Sequence, residues 1–462
     1  MFGFSAFFAV LALAAPAGHD WARFDYDAAR SGVYPFATGI TAANAGRLQR
    51  QHVELDGTVD SSPIFLHDVM VGGARHEVFL VTTTYGKTFA IDADNGHVLW
   101  RYVPPGYSSL AGTYRITNAT PVADPSRTAI YVAGPDGRIR KLAVADGREQ
   151  WSTAITLLPR REKIAPALNV SRGLVIATTG GYIGDAPPYQ GHVVTLRATT
   201  GAIVHVWNSL CSDRHRLINP SSCRSSDSAI WARSGAVVEP NGRLLVATGN
   251  GPWNGRTDWG DSVLELSADA GRLLQNWTPR NADELESADA DLGSTAPALL
   301  GGGLALQGGK DGKLRLLNLR RLNGTAHAAA RKGGELQTLS TPGGVDLFTA
   351  PAVWHQGQTT WAFVADGAGT AAYRLVKGRL RRAWQNGHAG TSPVLAGGLL
   401  YVYDPNGGLR IYRPTTGRAV TTLPAGPGHW NSPIVVAGRI ALPEGDANDH
   451  RQTGGFNIYR LP

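Results

Sequence analysis

An amide set between glycines, Thr248-Gly249-Asn250-Gly251, closes an apolar run that ends at Ala247. Glycine lets a backbone turn tightly and lets another group come close. An amide oxygen held there has two uses: it forms a turn, or it donates a lone pair to a ligand. Farther along, Asp289-Ala290-Asp291 places two carboxylates at i and i+2. In an extended segment such residues face the same side, so both could serve one hard cation, which prefers oxygen donors. Without a cation the pair would repel, and one pKa would rise. Lys310, in QGGKDGKLRLL, and Trp231, in SAIWARSGAVVEPNG, add a positive charge and a flat aromatic face. The structural alternatives are a turn asparagine, a solvated acidic loop, a turn lysine and a core tryptophan. Other chemistries lack the necessary spacing. His19, His215, His327, His388 and His429 form no metal-ligand pattern. The glycine pairs lack the context of a phosphate loop, and no Ser-His-Asp set has an interpretable setting.

These residues need a frame, and the frame is a repeat. The 462 residues include 57 Gly and 27 Pro but only 17% charged residues, the balance of a turn-rich, all-β chain. A unit begins with a small residue and a proline, continues through apolar strands and a Gly-containing turn, and often ends in Trp. Starts fall at Ser62-Pro63, Thr120-Pro121, Ala165-Pro166, Ala296-Pro297, Ala350-Pro351, Ser392-Pro393 and Ser432-Pro433, with Ser234-Gly235-Ala236 as a variant. The downstream halves rhyme, as AIDADNGHVLW to Trp100 and LAVADGREQW to Trp151 show. Each unit, roughly 40 to 58 residues long, holds about four short strands. Eight such units predict an eight-bladed β-propeller. The last unit, Asn431 to Leu461, lacks an outer strand, and Arg47 to Leu55 can supply it. Closing the ring this way removes an open sheet edge.

The N-terminus carries an apolar stretch from Phe2 to Ala15 and a small-x-small site at Ala15-Pro16-Ala17. Residues 1–17 are expected to be a secretory signal peptide, and residues 18–462 a single domain. No later segment is long and apolar enough to cross a bilayer, so a periplasmic or secreted protein without a transmembrane span is predicted. In an oxidising compartment Cys211 and Cys223 would pair and close a polar loop. That closure would contribute about 3 kcal/mol in the chain-entropy account. The net charge of +8 is scattered over pairs such as Arg160-Arg161 and Arg381-Arg382. With no basic run or nucleic-acid motif, no nucleic-acid partner is expected.

The pattern A-x-D-x-x-x-G-x-x-x-W, here Ala90, Asp92, Gly96 and Trp100, resembles the repeat of quinoprotein dehydrogenases. Those proteins are eight-bladed propellers that hold pyrroloquinoline quinone (PQQ). The segment DWARFDYDAARSG, Asp20 to Gly32, resembles their mature start. The resemblance implies PQQ on the axis with Ca²⁺ or a lanthanide beside it. On that likeness Asn250 matches a metal ligand and Trp231 the floor under PQQ. Asp289 matches the base that takes the alcohol proton beside the metal, and Asp291 the extra ligand of lanthanide-using members. Lys310 matches the cation at the quinone oxygens. The family's glutamate ligand has no counterpart in GGYIGDAPPYQGHVV, where Asp185 is the substitute carboxylate. Arg115, in TYRITNATP, is the candidate for the PQQ carboxylates. The adjacent cysteine pair that covers the cofactor in many alcohol dehydrogenases is absent. The implied activity is hydride transfer from an alcohol or aldehyde substrate to PQQ. Electrons would pass to an external acceptor, since no C-x-x-C-H haem motif is present. Non-enzymatic relatives, such as the outer-membrane β-barrel assembly lipoprotein, share the repeat without the cofactor. An envelope scaffold that binds other proteins is therefore the alternative.

Overall fold

A computed structural model describes residues 19–323 and 331–462. The expected signal peptide and His327 lie outside the described residues. Among the described residues, eight four-stranded antiparallel blades follow one another along the chain; Val33–Tyr34 adds a parallel edge to blade seven, and a two-stranded ladder, Glu162–Lys163 with Gly180–Gly181, stands apart. Blade one, for example, runs Ile64–Val71, Ala74–Thr82, Thr88–Asp92 and Val98–Tyr102. The strands alternate over short turns, so each blade buries apolar side chains against both neighbours. The result is the eight-bladed all-β propeller that the repeat predicts.

The last blade confirms the ring closure. Its inner strands are Ile434–Val436, Arg439–Glu444 and Gly454–Arg460, and its outer strand is Gln49–Leu55, paired antiparallel from Gln49↔Arg460 to Leu55↔Gly454. The chain ahead of that strand caps the inner blade edges on one face. Trp21 bridges Phe65 of blade one, and Ala22 O accepts from Ala123 N of blade two. Arg23 Nη1 donates to Val170 O of blade three. Ala28, Ser31 and Gly32 carbonyls accept from Val238, Val353 and Leu395 of blades four, six and seven. The buried Arg30 guanidinium is spent on four carbonyls, those of Phe24, Ala167, Leu168 and Ser234. One short segment thus satisfies strand edges of six blades that would otherwise be open.

The tryptophans that mark the repeat staple blade to blade. Trp100 Nε1 donates to Val144 O at 2.8 Å, and its ring lies so close to Gly147 that a Cβ there would sit 2.6 Å from Trp100 Cε3. Trp151 does the same with Ala198 O and Gly201. The register changes in blades three and four. There the position over the next glycine belongs to His205, over Gly271, and Gln275 binds Leu319 O. Trp207 and Trp277 lie two residues later and are buried in the core instead. The Cys211–Cys223 disulfide is formed, with Cα atoms 6.0 Å apart.

Candidate functional site

A cavity of about 450 Å³ opens on the propeller axis. Its wall includes Trp231, Asn250, Asp289, Asp291, Lys310 and Asp185, so six of the seven predicted site residues meet there. Each comes from a turn or blade junction, where strands stop and side chains are free to face the axis.

Asn250 follows the strand Leu244–Ala247 of blade four. Its flanking glycines are needed for close approach. A Cβ on Gly249 would lie 2.1 Å from Asp291 Oδ1, and one on Gly251 2.8 Å from Ser228 Cβ. The bare backbone at Gly249 lets the Asp291 carboxylate reach the Asn250 N–H, which donates to Asp291 Oδ1 at 2.7 Å. Asn250 Nδ2 donates to Asp289 Oδ1, also at 2.7 Å. One residue therefore positions both aspartates. Its own Oδ1 is buried without any hydrogen-bond partner.

Asp289 and Asp291 do not lie in an extended segment, contrary to the expectation. The helix Ala282–Ser287 ends just before them, and Asp289 adopts a left-handed conformation with φ 51°. This kink, which Asp tolerates better than most residues, turns both carboxylates to the same side. Lys310 Nζ closes on them, 2.6 Å from Asp291 Oδ2 and 3.2 Å from Asp289 Oδ1. It also lies 5.6 Å from the Trp231 ring centroid. The carboxylates differ in setting: the Asp289 side chain is 70% exposed, that of Asp291 only 11%. Trp231 runs nearly parallel to Trp430, 12° between planes and 5.7 Å between centroids.

Arg115 is not brought to the cavity wall. Its Nε and Nη2 donate to Pro159 O and Pro135 O, both at 3.1 Å, which holds the guanidinium in blade-two loops. Conversely, Lys163, His429 and Trp430 line the cavity, and no motif in the sequence marks them as ligands. Their signal is positional: Lys163 and Trp430 each stand two residues before a small-residue–Pro unit start, as do Asn118 and Phe348 of the same wall.

The donor set suits a hard cation. The oxygens come from a side-chain amide and carboxylates, and Asn250 Oδ1 is a buried acceptor left to be satisfied. Such an orphan costs about 1–3 kcal/mol unless something binds it. Negative charge also exceeds positive. Burial raises the Asp291 and Asp185 carboxyls above their ordinary range. Burial, with Glu286, Asp291 and Asp185 nearby, pushes Asp227 up to about 7. Asp261, behind Asn250, is pushed by burial up to about 8. These carboxyls hold protons in the folded state that an unfolded chain releases above its ordinary carboxylate pKa of about 4. The folded state thus binds more protons between pH about 4 and about 8, so stability falls as pH rises through that window. Urea midpoints of the metal-free protein should decline across it. In the double variant Asp227→Asn, Asp261→Asn the slope should flatten; a wild-type profile without decline would contradict the assignment.

The family described as outer membrane protein assembly factor BamB matches residues 40–238 and 232–422. Among curated proteins, polyvinylalcohol dehydrogenase of Sphingopyxis sp. (strain 113P3) is 23% identical over 211 residues, covering 43% of this chain and 31% of its own. Quinohemoprotein alcohol dehydrogenase ADH IIB of Pseudomonas putida is 25% identical over 250 residues, 49% of this chain and 34% of its own. The matches thus span about a third of those relatives' length. Among solved structures, quinohemoprotein alcohol dehydrogenase from Comamonas testosteroni superimposes with TM-score 0.69 at 16% identity, over 96% of this chain and 80% of its own. A europium-containing methanol dehydrogenase gives 0.67 at 15%, over 96% and 98%. BamB from Moraxella catarrhalis gives 0.58 at 13%, over 89% and 99%. At these identities the superpositions establish the fold.

Proposed function

The chain belongs to the PQQ-type propeller family described as outer membrane protein assembly factor BamB, and from that premise and the cavity we propose that it is a PQQ- and metal-dependent dehydrogenase of the periplasm or cell exterior. The observation that carries the reading is the buried, unpartnered Asn250 Oδ1 beside two convergent carboxylates. Asn250, Asp291 and Asp289 would hold the cation, Ca²⁺ or a lanthanide, with Asp185 as a further carboxylate. Trp231 would lie against the cofactor face. PQQ with its cation, when bound, supplies an electrophilic quinone that accepts hydride from an alcohol-type substrate.

The residues of this chain would do the rest. Asp289, more exposed than Asp291, accepts the hydroxyl proton at a carboxylate oxygen and returns it to water. Asn250 Nδ2 and Lys310 Nζ hold that carboxylate in place from two sides. Asp291, largely buried and tied to the Asn250 N–H, stays a ligand and not a base. Electrons leave to an external acceptor. Among the described residues no helix is long and apolar enough to cross a membrane.

A second reading, an envelope scaffold that binds other proteins, is favoured by one observation. Lys310 already pairs with both Asp289 and Asp291, so part of the site is satisfied without a metal. Calorimetric titration of the apo-protein with PQQ, in Ca²⁺ and separately in La³⁺, separates the two. Saturable binding with a preference for La³⁺ is expected on the enzyme reading, because Asp291 adds a carboxylate. Absence of binding in both metals would leave the scaffold.

A further inference from the structure

The same cavity wall carries, beside blade three, a positive charge that no carboxylate bonds. Lys163 belongs to the two-residue strand Glu162–Lys163, antiparallel to Gly180–Gly181. Successive strand side chains point to opposite sides. Glu162 turns into blade three, where its Oε1 lies 3.0 Å from His192 Nε2, both fully buried. Lys163 turns the other way, into the cavity. The residue is 9% exposed. Among the described residues no oxygen lies within hydrogen-bond or ion-pair distance of its Nζ.

The acids nearest to it are committed elsewhere. Asp60 accepts from Asn118 Nδ2 at 2.7 Å, His429 Nδ1 at 2.8 Å, and the backbone N–H groups of Trp430 and Ala447 at 2.6 and 3.0 Å. Asp446 Oδ1 accepts from Asn448 N at 2.8 Å and lies 3.5 Å from His429 Nδ1. Burial lowers the Lys163 pKa to about 8, with Asp60 and Asp446 opposing. At neutral pH it is still mostly an ammonium; the two acids offset part of its burial through space, but an ammonium whose own N–H donors are left unbonded is costly. Lys310, by contrast, has two carboxylates. The cavity wall therefore combines carboxylates around Asn250, a cation at Lys163 that no acid bonds, and the nearly parallel rings of Trp231 and Trp430.

We propose that Lys163 receives a carboxylate of the bound ligand, so that the cavity selects a flat aromatic acid by its anionic edge as well as by its cation-binding edge. The inference rests on the quinoprotein reading for the identity of that acid. It gives the carboxylate-binding role, expected of Arg115, to a residue in the next blade. A charge-assisted pair desolvated in this way is stronger than a neutral hydrogen bond, and it would supply Lys163 with its missing partner.

The test compares PQQ with its trimethyl ester, which keeps the ring system and quinone but removes the charges. Both are titrated calorimetrically with La³⁺ into wild type, Lys163→Met, Lys163→Gln and Lys163→Arg. Wild type should favour the free acid by at least about tenfold, the difference a desolvated charge-assisted pair makes. The Met and Gln variants should lose that preference while binding the ester as wild type does, and the Arg variant should keep most of it. The Met variant should also resist urea at least as well as wild type, since it removes an unpaired buried charge; a purely structural lysine would lower the midpoint. A preference for the acid that persists in both uncharged variants overturns the proposal and leaves the quinoprotein reading standing. If neither compound binds wild type, the quinoprotein reading itself falls, and this inference with it.

Discussion

Asn250→Ala is expected to lower La³⁺ affinity at least about a hundredfold, the scale set by loss of a metal-site group together with the bonds that orient its partners. The substitution removes Oδ1, a buried acceptor without a hydrogen-bond partner, and Nδ2, which holds Asp289. It leaves the main-chain N–H, so Asp291 keeps its 2.7 Å bond. The fold of the loop should therefore survive, and the loss should appear in binding and not in the urea midpoint. Asn250→Asp makes a useful contrast. It keeps an oxygen at the same place but gives up the donor to Asp289 and adds charge to a crowded cluster. Metal affinity should be retained or increased, while the metal-free protein loses stability. Terbium luminescence sensitised by Trp231 would report the affinities, because that ring lies beside Lys310, and urea midpoints of the metal-free variants would report the stabilities. Equal affinity in Asn250→Ala and wild type would remove the metal site from consideration.

Lys310→Met is expected to destabilise the metal-free protein by about 3 kcal/mol, the cost of leaving one member of a buried ion pair alone. Asp291 bears most of that penalty, because its side chain is largely buried and its closest cation is Lys310 Nζ at 2.6 Å. Exposed Asp289 can turn to water. A bound trivalent cation should replace the missing charge, so La³⁺ should raise the urea midpoint of Lys310→Met by more than that of wild type. The comparison separates a structural lysine from one that shares its carboxylates with a metal. Destabilisation with no added rescue by La³⁺ would mean that Lys310 is only a counter-ion.

The fold was legible because its signals repeat. A small residue and Pro at each unit start, and a Gly turn before each outer strand, do the same packing job again and again, so one noisy copy is corrected by its neighbours. Even so, the tryptophan pattern concealed a change of register. Trp207 and Trp277 look like Trp100 and Trp151 but lie two residues farther on, and His205 and Gln275 take the stapling place. Trp384, in the less regular RRAWQNG, packs on Gly417 in the stapling manner although its surroundings do not match the repeat. The site was legible where local chemistry was unusual. An amide between glycines and two aspartates in i, i+2 stand out from any background. Arg115 misled because an arginine's direction depends on which carbonyls lie within reach, here those of Pro135 and Pro159. Lys163 was missed for the opposite reason. In sequence it is one of many charged residues, and only the ring shows that it faces the axis without a partner.

The way the ring is closed also dictates when it can form. The eighth sheet joins Gln49–Leu55 to Gly454–Arg460, so one strand is synthesised long before its partner. Contacts so far apart in sequence are slow to form. Until they do, the early strand has an unpaired edge, and such edges recruit strands from other chains. A chain stopped anywhere before Gly454 would therefore not yield a smaller propeller. It would yield an open arc with a bare edge at each end, a template for aggregation, and its accumulation in the cell would depend on how quickly proteases and holding chaperones reach those edges.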